Sequence, residues 1–220
     1  MIRIHHVPQS RSMRVLWLLE ELGLPFELVT ERFDKSLRRE EYLARSPAGR
    51  VPALEIGGET MFESGAILEY LCELYPDRGL GRMRGDAERR DYLVWLHFAE
   101  TMSHHGAALT QQHLMLREEH MRSPIIMQLE AARLGKCFAA IEARLALSGE
   151  HLLDGFSAVD IAVGQAVYIG RHFRSTEGLA RLEAWYGRIT ARDAFRRALP
   201  EEGARLYTQD FYPAWEMPGV

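Results

Sequence analysis

The stretch Ile2–Val29, IRIHHVPQSRSMRVLWLLEELGLPFELV, decides the fold. IRIHHV reads as a strand and QSRS as a polar elbow. From Met13 on, apolar positions at Met13, Leu16, Trp17, Leu19 and Leu22 follow the period of a helix. Either Ser10 or Ser12 can cap that helix, and Gly23 and Pro25 end it. FELVTERF is then a second strand. Two strands joined by a crossover helix are expected to lie parallel, with a right-handed connection.

Working outward, KSLRREEYLARS reads as a short polar helix or an irregular segment that ends at Pro47 and Gly49. VPALEIGGETMFES is a hairpin signal, because Gly57-Gly58 joins two short apolar runs as a two-residue primed turn does. SGAILEYLCELYPD is a helix from Ser64 that stops before Pro76. The expected N-terminal fold is therefore a small mixed sheet covered by helices. DRGLGRMRGD interrupts the pattern, and residues 81–86 read as a linker. Beyond it apolar residues recur at helical spacing over about 87–121, 124–148, 158–172 and 178–199. The sharpest helix start is at FSAVDI, where Ser157 and Asp160 form a short-chain capping box and Phe156 and Ile161 a staple. The expected organisation is an α/β domain over 1–80, the linker, and an all-helical domain over 87–220.

Composition excludes several classes. The 220 residues are 47% hydrophobic and 26% charged, the mix of a globular protein with ample core. A net charge of −4 offers no general attraction to nucleic acid or to an anionic membrane. No apolar run approaches the roughly 20 residues of a membrane span, and MIRIHHV has none of the features of a secretory leader. Cys72 and Cys137 each sit within an apolar helical pattern, so both are expected to be buried thiols in a reducing compartment, and the protein cytoplasmic.

Three segments carry chemistry. Ser10 and Ser12 lack the G-x-S-x-G setting of a hydrolase nucleophile. A strand turns successive side chains to opposite faces, so at most one of His5 and His6 faces the elbow. One reading makes both serines simple caps; in the other, the N–H groups of a helix start and a hydroxyl together favour a bound anion. If that anion is a thiolate, its pKa falls below the usual value of about 8.5. A two-unit drop corresponds to about 2.7 kcal/mol, and one hydrogen bond to a charged group contributes about 1.5–3 kcal/mol. In the second segment, GRVPALEI, Pro52 is either a plain strand start or a device that leaves the Val51 backbone to a peptide-like ligand. In the third, FESGAIL, Glu63 and Ser64 either cap a helix or grip an amino-acid head group. Metal binding is not expected: His97 and His104 are seven apart, as are His113 and His120, with no H-E-x-x-H or Cys/His spacing.

Together the elbow, GRVPAL, ESGAILEYL and the capping box resemble the cytosolic glutathione transferases, in the same order and over essentially the whole chain. SRSMRVLWLLEELGLPFEL and YLVWLHFAE look like a bacterial or fungal, serine-using group of them. The resemblance implies a thioredoxin-like N-terminal domain, an all-helical C-terminal domain and a homodimer. It implies glutathione as co-substrate, with no metal, and a small apolar electrophile or organic peroxide as second substrate. By position it makes Ser10, four residues before Arg14, the donor to the glutathione sulfur, with Ser12 in reserve. Val51 pairs with the cysteinyl unit ahead of a cis Pro52, and Glu63 and Ser64 hold the γ-glutamyl end. Arg50, and less directly Lys35 or Arg39, meets the glycyl carboxylate. Phe98, Met102, His105 and Tyr168 are candidates for the second-substrate pocket. Tyr207, Phe211, Tyr212 and Trp215 imply a tail that docks, packing on the helical domain rather than closing a cleft. His5 and His6 stand where tyrosine-using relatives carry Tyr, and no elbow cysteine is present for mixed-disulfide chemistry. The competing class is a non-catalytic interaction module of the same fold, which is expected to lack the elbow hydroxyl or the Glu-Ser pair.

Overall fold

In a computed structural model the chain is described over residues 1–213. The described residues form two compact units, Met1–Arg90 with Thr190–Leu206, and Asp91–Ile189 with residues 207–213. This differs from a single cut at 81–86, because residues 190–206 return to the first unit.

The first unit holds a four-stranded sheet in the order β2-β1-β3-β4. β1 (Ile2–His6) and β2 (Phe26–Thr30) pair in parallel, with α1 (Ser12–Leu22) as their crossover. β3 (Ala53–Ile56) runs antiparallel to both β1 and β4 (Glu59–Phe62). Gly57 and Gly58 have φ of 62° and 88°, the two positive values a primed hairpin turn requires. α1 is buried almost all round: Met13, Val15, Trp17, Leu18, Leu19 and Leu22 are inaccessible to solvent. Gly23, in the left-handed conformation, ends it by donating to Glu20 O and Leu19 O. The polar segment after β2 becomes a 3₁₀ turn, Lys35–Arg38, and a single helical turn, α2 (Glu40–Leu43). α3 (Ser64–Leu74) completes the α/β part.

Apolar spacing over 87–121 does not yield one helix. α4 (Arg89–Thr110) passes into a π turn at Gln111–Met115, and only a short 3₁₀ turn follows at Glu119–Met121. α5 (Pro124–Ser148) and α6 (Ala158–Gly170) match the expected spans. The stretch 178–199 divides into α7 (Ala180–Thr190) and α8 (Asp193–Ala198). α8 belongs to the first unit. There Phe195 meets Trp17 edge-on at 4.8 Å, while Arg192 and Arg197 pair with Glu21 and Glu20 of α1.

In the second unit the capping box of α6 forms as expected, with the Ser157 N–H donating to Asp160 Oδ2 at 2.9 Å. The tail docks through its aromatic residues. Tyr207 stacks on His172 with centroids 5.1 Å apart and pairs with Thr110 Oγ1 at 2.9 Å. Phe211 stacks on Phe173 and approaches His113. Trp215 lies outside the described residues. Both cysteines are buried thiols, and burial raises the pKa of Cys137. No helix among the described residues is long and apolar enough to cross a membrane.

Candidate active site

The elbow between β1 and α1 separates its two serines. Ser12 is the first residue of α1 and is fully buried. Its Oγ lies 2.8 Å from His6 Nδ1, 2.7 Å from Ser10 Oγ, 3.2 Å from the Val7 nitrogen and 3.3 Å from the Val7 carbonyl oxygen. Ser10 is half-buried, and its Oγ accepts from the Ser12 N–H at 3.2 Å. Ser10 is thus the serine that caps, and Ser12 is the interior link behind it. Gln9, just before them, is buried and has φ of 54°; its side-chain oxygen accepts from the Leu206 N–H. An uncommon backbone conformation for a non-glycine residue fixes the bend of the elbow.

Strand parity puts Ile2, Ile4 and His6 on one face and Arg3 and His5 on the other. His6 is the one that meets the elbow. Burial pushes its pKa down to about 4, so the ring is neutral at neutral pH. His5 is buried on the opposite face, with one ring nitrogen 2.8 Å from Glu31 Oε1 and the other 2.8 Å from Glu55 Oε1. Glu55 also accepts from Arg45, and its pKa is depressed chiefly by the His5 hydrogen bond.

A cleft in the first unit is lined by Arg11, Ser46, Ala48, Arg50, Val51, Pro52, Phe62, Glu63 and Ser64. Five residues singled out from the sequence, Arg50, Val51, Pro52, Glu63 and Ser64, therefore meet on one surface. Ser10 is not among the lining residues, although its neighbour Arg11 is. Lys35 and Arg39 are exposed and do not line the cleft. The Val51–Pro52 peptide is cis. Val51 precedes β3 and lies outside the ladder registers, so its backbone faces no partner strand. Arg50 is anchored by its backbone: its N–H donates to Ser46 Oγ at 3.4 Å, and its carbonyl accepts from the Tyr42 hydroxyl at 3.1 Å. Its side chain remains exposed.

Glu63 occupies the cap position of α3 with φ of 72° and ψ of 107°, and its side chain makes no capping bond. Such a conformation costs of order 1–3 kcal/mol in a non-glycine residue and clusters where function constrains the chain. Ser64 is the first helical residue rather than the cap, and is nearly buried. Behind it lies Arg14, fully buried on α1, whose Nη1 donates to Ser64 Oγ at 3.3 Å. Arg14 was legible as the residue four positions after Ser10. Its long reach to α3 was not, because that contact spans 50 positions of sequence.

Phe98, Met102 and His105 share one face of α4, and Tyr168 lies on α6; none of the four lines the cleft. Met102 is only 1% exposed, a core position that a ligand does not meet without rearrangement. His105 is tied to the buried Glu130 at 2.6 Å, and Arg133 holds the other carboxylate oxygen. Phe98 packs edge-on against Trp95, and Tyr168 meets His172 edge-on at 6.3 Å.

Comparison with known proteins bears on this arrangement. Residues 4–79 match the family described as the glutathione S-transferase N-terminal domain. Glutathione S-transferase 3 of Schizosaccharomyces pombe is 40% identical over 101 residues, covering 46% of this chain and 41% of that protein. Glutathione S-transferase APIC of Nicotiana tabacum is 30% identical over 213 residues, 90% of this chain and 97% of that one. Among solved structures, a sphingomonad glutathione S-transferase complexed with glutathione is similar with a TM-score of 0.75 and 27% identity. That match covers 90% of this chain and 96% of the other.

Proposed function

The chain belongs to the glutathione S-transferase family, and from that premise we propose that Ser10 is the hydroxyl that ionises the glutathione thiol in its reaction. The observation that carries the reading is the separation of the two serines, with Ser10 at the surface of the elbow and Ser12 sealed beneath it. Ser10 stays protonated throughout and acts as a hydrogen-bond donor to the sulfur, while the start of α1 contributes its positive end.

The cleft orders the rest of the tripeptide. The Val51 backbone pairs with the cysteinyl unit, Glu63 takes the γ-glutamyl ammonium, and Ser64 with the start of α3 takes the neighbouring carboxylate. The Arg50 guanidinium, held out from an anchored backbone, meets the glycyl carboxylate. Arg14 keeps the Ser64 hydroxyl in place from below. Rate enhancement comes from ionising and positioning the thiol for attack on a small apolar electrophile, with reduction of organic peroxides as a second use of the same thiolate. The working form is a cytoplasmic homodimer.

The experiment is a pH titration of thiolate absorbance for bound glutathione in the wild type, Ser10→Ala and Ser12→Ala. A depressed thiol pKa that returns toward its value in water in Ser10→Ala supports the assignment. Retention of the depressed pKa in Ser10→Ala overturns it and moves the donor elsewhere.

A further inference from the structure

The bend between β1 and α1 is a turn. The Ser10 N–H donates to the Val7 carbonyl at 3.2 Å, which places Pro8 and Gln9 at its centre. Gln9 has φ of 54°. A proline followed by a residue of positive φ is the pattern of a type II turn, where glycine or asparagine ordinarily takes the second of these places. Glutamine brings a long side chain to a position that strains its backbone. Such a conformation persists where the surrounding structure over-determines it.

The surroundings of Gln9 supply that hold. The residue is 2% exposed, and its amide oxygen accepts from the Leu206 N–H at 2.5 Å, across 197 positions of sequence. A backbone N–H only donates, so the direction of this bond is fixed. Leu206 is the last residue of the returning segment, 190–206, which belongs to the first unit. That segment also holds α1 near its other end, where Arg192 and Arg197 pair with Glu21 and Glu20. It therefore grips α1 at its last turns through side chains, and just ahead of its first turn through its own backbone. Directly after Gln9 come Ser10 and Arg11, and Arg11 lines the cleft. Were Gln9 to relax to a negative φ, the chain leaving the turn would point elsewhere and carry both residues with it.

We propose that Gln9 is a positioning residue of the glutathione site, latched by the Leu206 N–H, so that the C-terminal part of the first unit sets where the elbow stands against the cleft. The proposal rests on the cleft taking glutathione beside the elbow. It does not depend on which group of the elbow meets the sulfur.

The test is a double-mutant cycle in the full chain, read by the dissociation constant of glutathione and by the thiol pKa of the bound tripeptide. Gln9→Leu removes the acceptor at similar side-chain size. Leu206→Pro removes the donor without touching the elbow, and Arg205, at φ −72° and ψ 129°, already has the extended conformation a following proline requires. Each substitution should weaken glutathione binding about five- to tenfold and raise the thiol pKa by about half a unit. Because both cut the same bond, the double variant should bind no more weakly than the weaker single. Leu206→Ala keeps the N–H, and its effect should be less than half that of Leu206→Pro. Losses that multiply in the double variant overturn the proposal, as does a Leu206→Ala that binds as weakly as Leu206→Pro. If Gln9→Leu does not fold, Gln9→Gly, which adopts a positive φ without strain, takes its place in the cycle with the same expectation. A wild type that binds no glutathione removes the reading of the cleft and the latch with it. Wild-type binding and thiol pKa retained in both single variants remove only the latch.

Discussion

Two helix starts in this chain each carry serine hydroxyls and settle them differently. At the start of α6, Ser157 and Asp160 are both fully buried, and the carboxylate accepts from the Ser157 N–H and Oγ, the Leu152 N–H at 3.1 Å and the Trp185 Nε1–H at 2.8 Å. Every donor is spent within the core. At the start of α1 the hydroxyl chain begins on buried His6 and ends on half-buried Ser10. The start of α6 closes on itself within the core, whereas the hydroxyl contacts at the start of α1 run from the interior to a half-buried residue. Burial of the last hydroxyl, rather than the identity of the capping residue, distinguishes them.

The contrast is broken most severely by Asp160→Ala. Removing the carboxylate strands several buried donors and should cost roughly 3–5 kcal/mol in urea unfolding. Activity per folded molecule should be unchanged; a selective loss of activity with stability intact would erase the distinction. Next in size is the acid response of the elbow. His6 has a folded pKa of about 4 against 6.5 when unfolded, so the unfolded chain binds the extra proton between these values. That contribution to stability is present above pH 6.5 and is lost as pH falls toward 4. His6→Asn should therefore shrink the loss of stability over this window by roughly 3 kcal/mol. An unaltered acid profile would mean that His6 is not held neutral.

Ser10→Ala sharpens the comparison from the other side. It should lower kcat/KM at neutral pH by about 10–100-fold while changing unfolding free energy by less than about 1 kcal/mol. A large stability loss with a normal thiol pKa would make the elbow a fastening start like that of α6. The smallest effect is expected at the start of α3. Glu63→Gly relieves the positive φ and should raise stability by up to about 1 kcal/mol, while KM for glutathione rises. Lower stability in that variant would show that the Glu63 conformation is not strained.

Much of this was legible in the sequence because it is local. The Gly57-Gly58 turn, the parallel crossover and the Ser157/Asp160 box each depend on residues within a few positions of one another. The docking of Tyr207 and Phe211 was legible because so many aromatic side chains in a terminal segment need a surface to cover. The site was legible as a set of segments, and Arg50, Val51, Pro52, Glu63 and Ser64 do converge on one cleft. Ser10 was preferred to Ser12 only through the resemblance, since two hydroxyls two residues apart differ only in how the elbow turns. The positive φ of Gln9 and Glu63 leaves no trace in residue type, because both are ordinary polar residues. Trp185 on Asp160 and Arg14 on Ser64 are long-range pairs, 25 and 50 positions apart, that no periodicity announces. Met102, a candidate for the second-substrate pocket only through the resemblance, is 1% exposed.

The return of residues 190–206 to the first unit has a consequence for how the molecule is made. Phe195, Arg192 and Arg197, which cover Trp17, Glu21 and Glu20 of α1, are translated well after it. At about 5–20 residues per second, the ribosome takes roughly 8–34 s to synthesise the 170 residues between α1 and α8. Through that interval Trp17 of the nascent α/β half has yet to meet Phe195, and Glu20 and Glu21 their arginines.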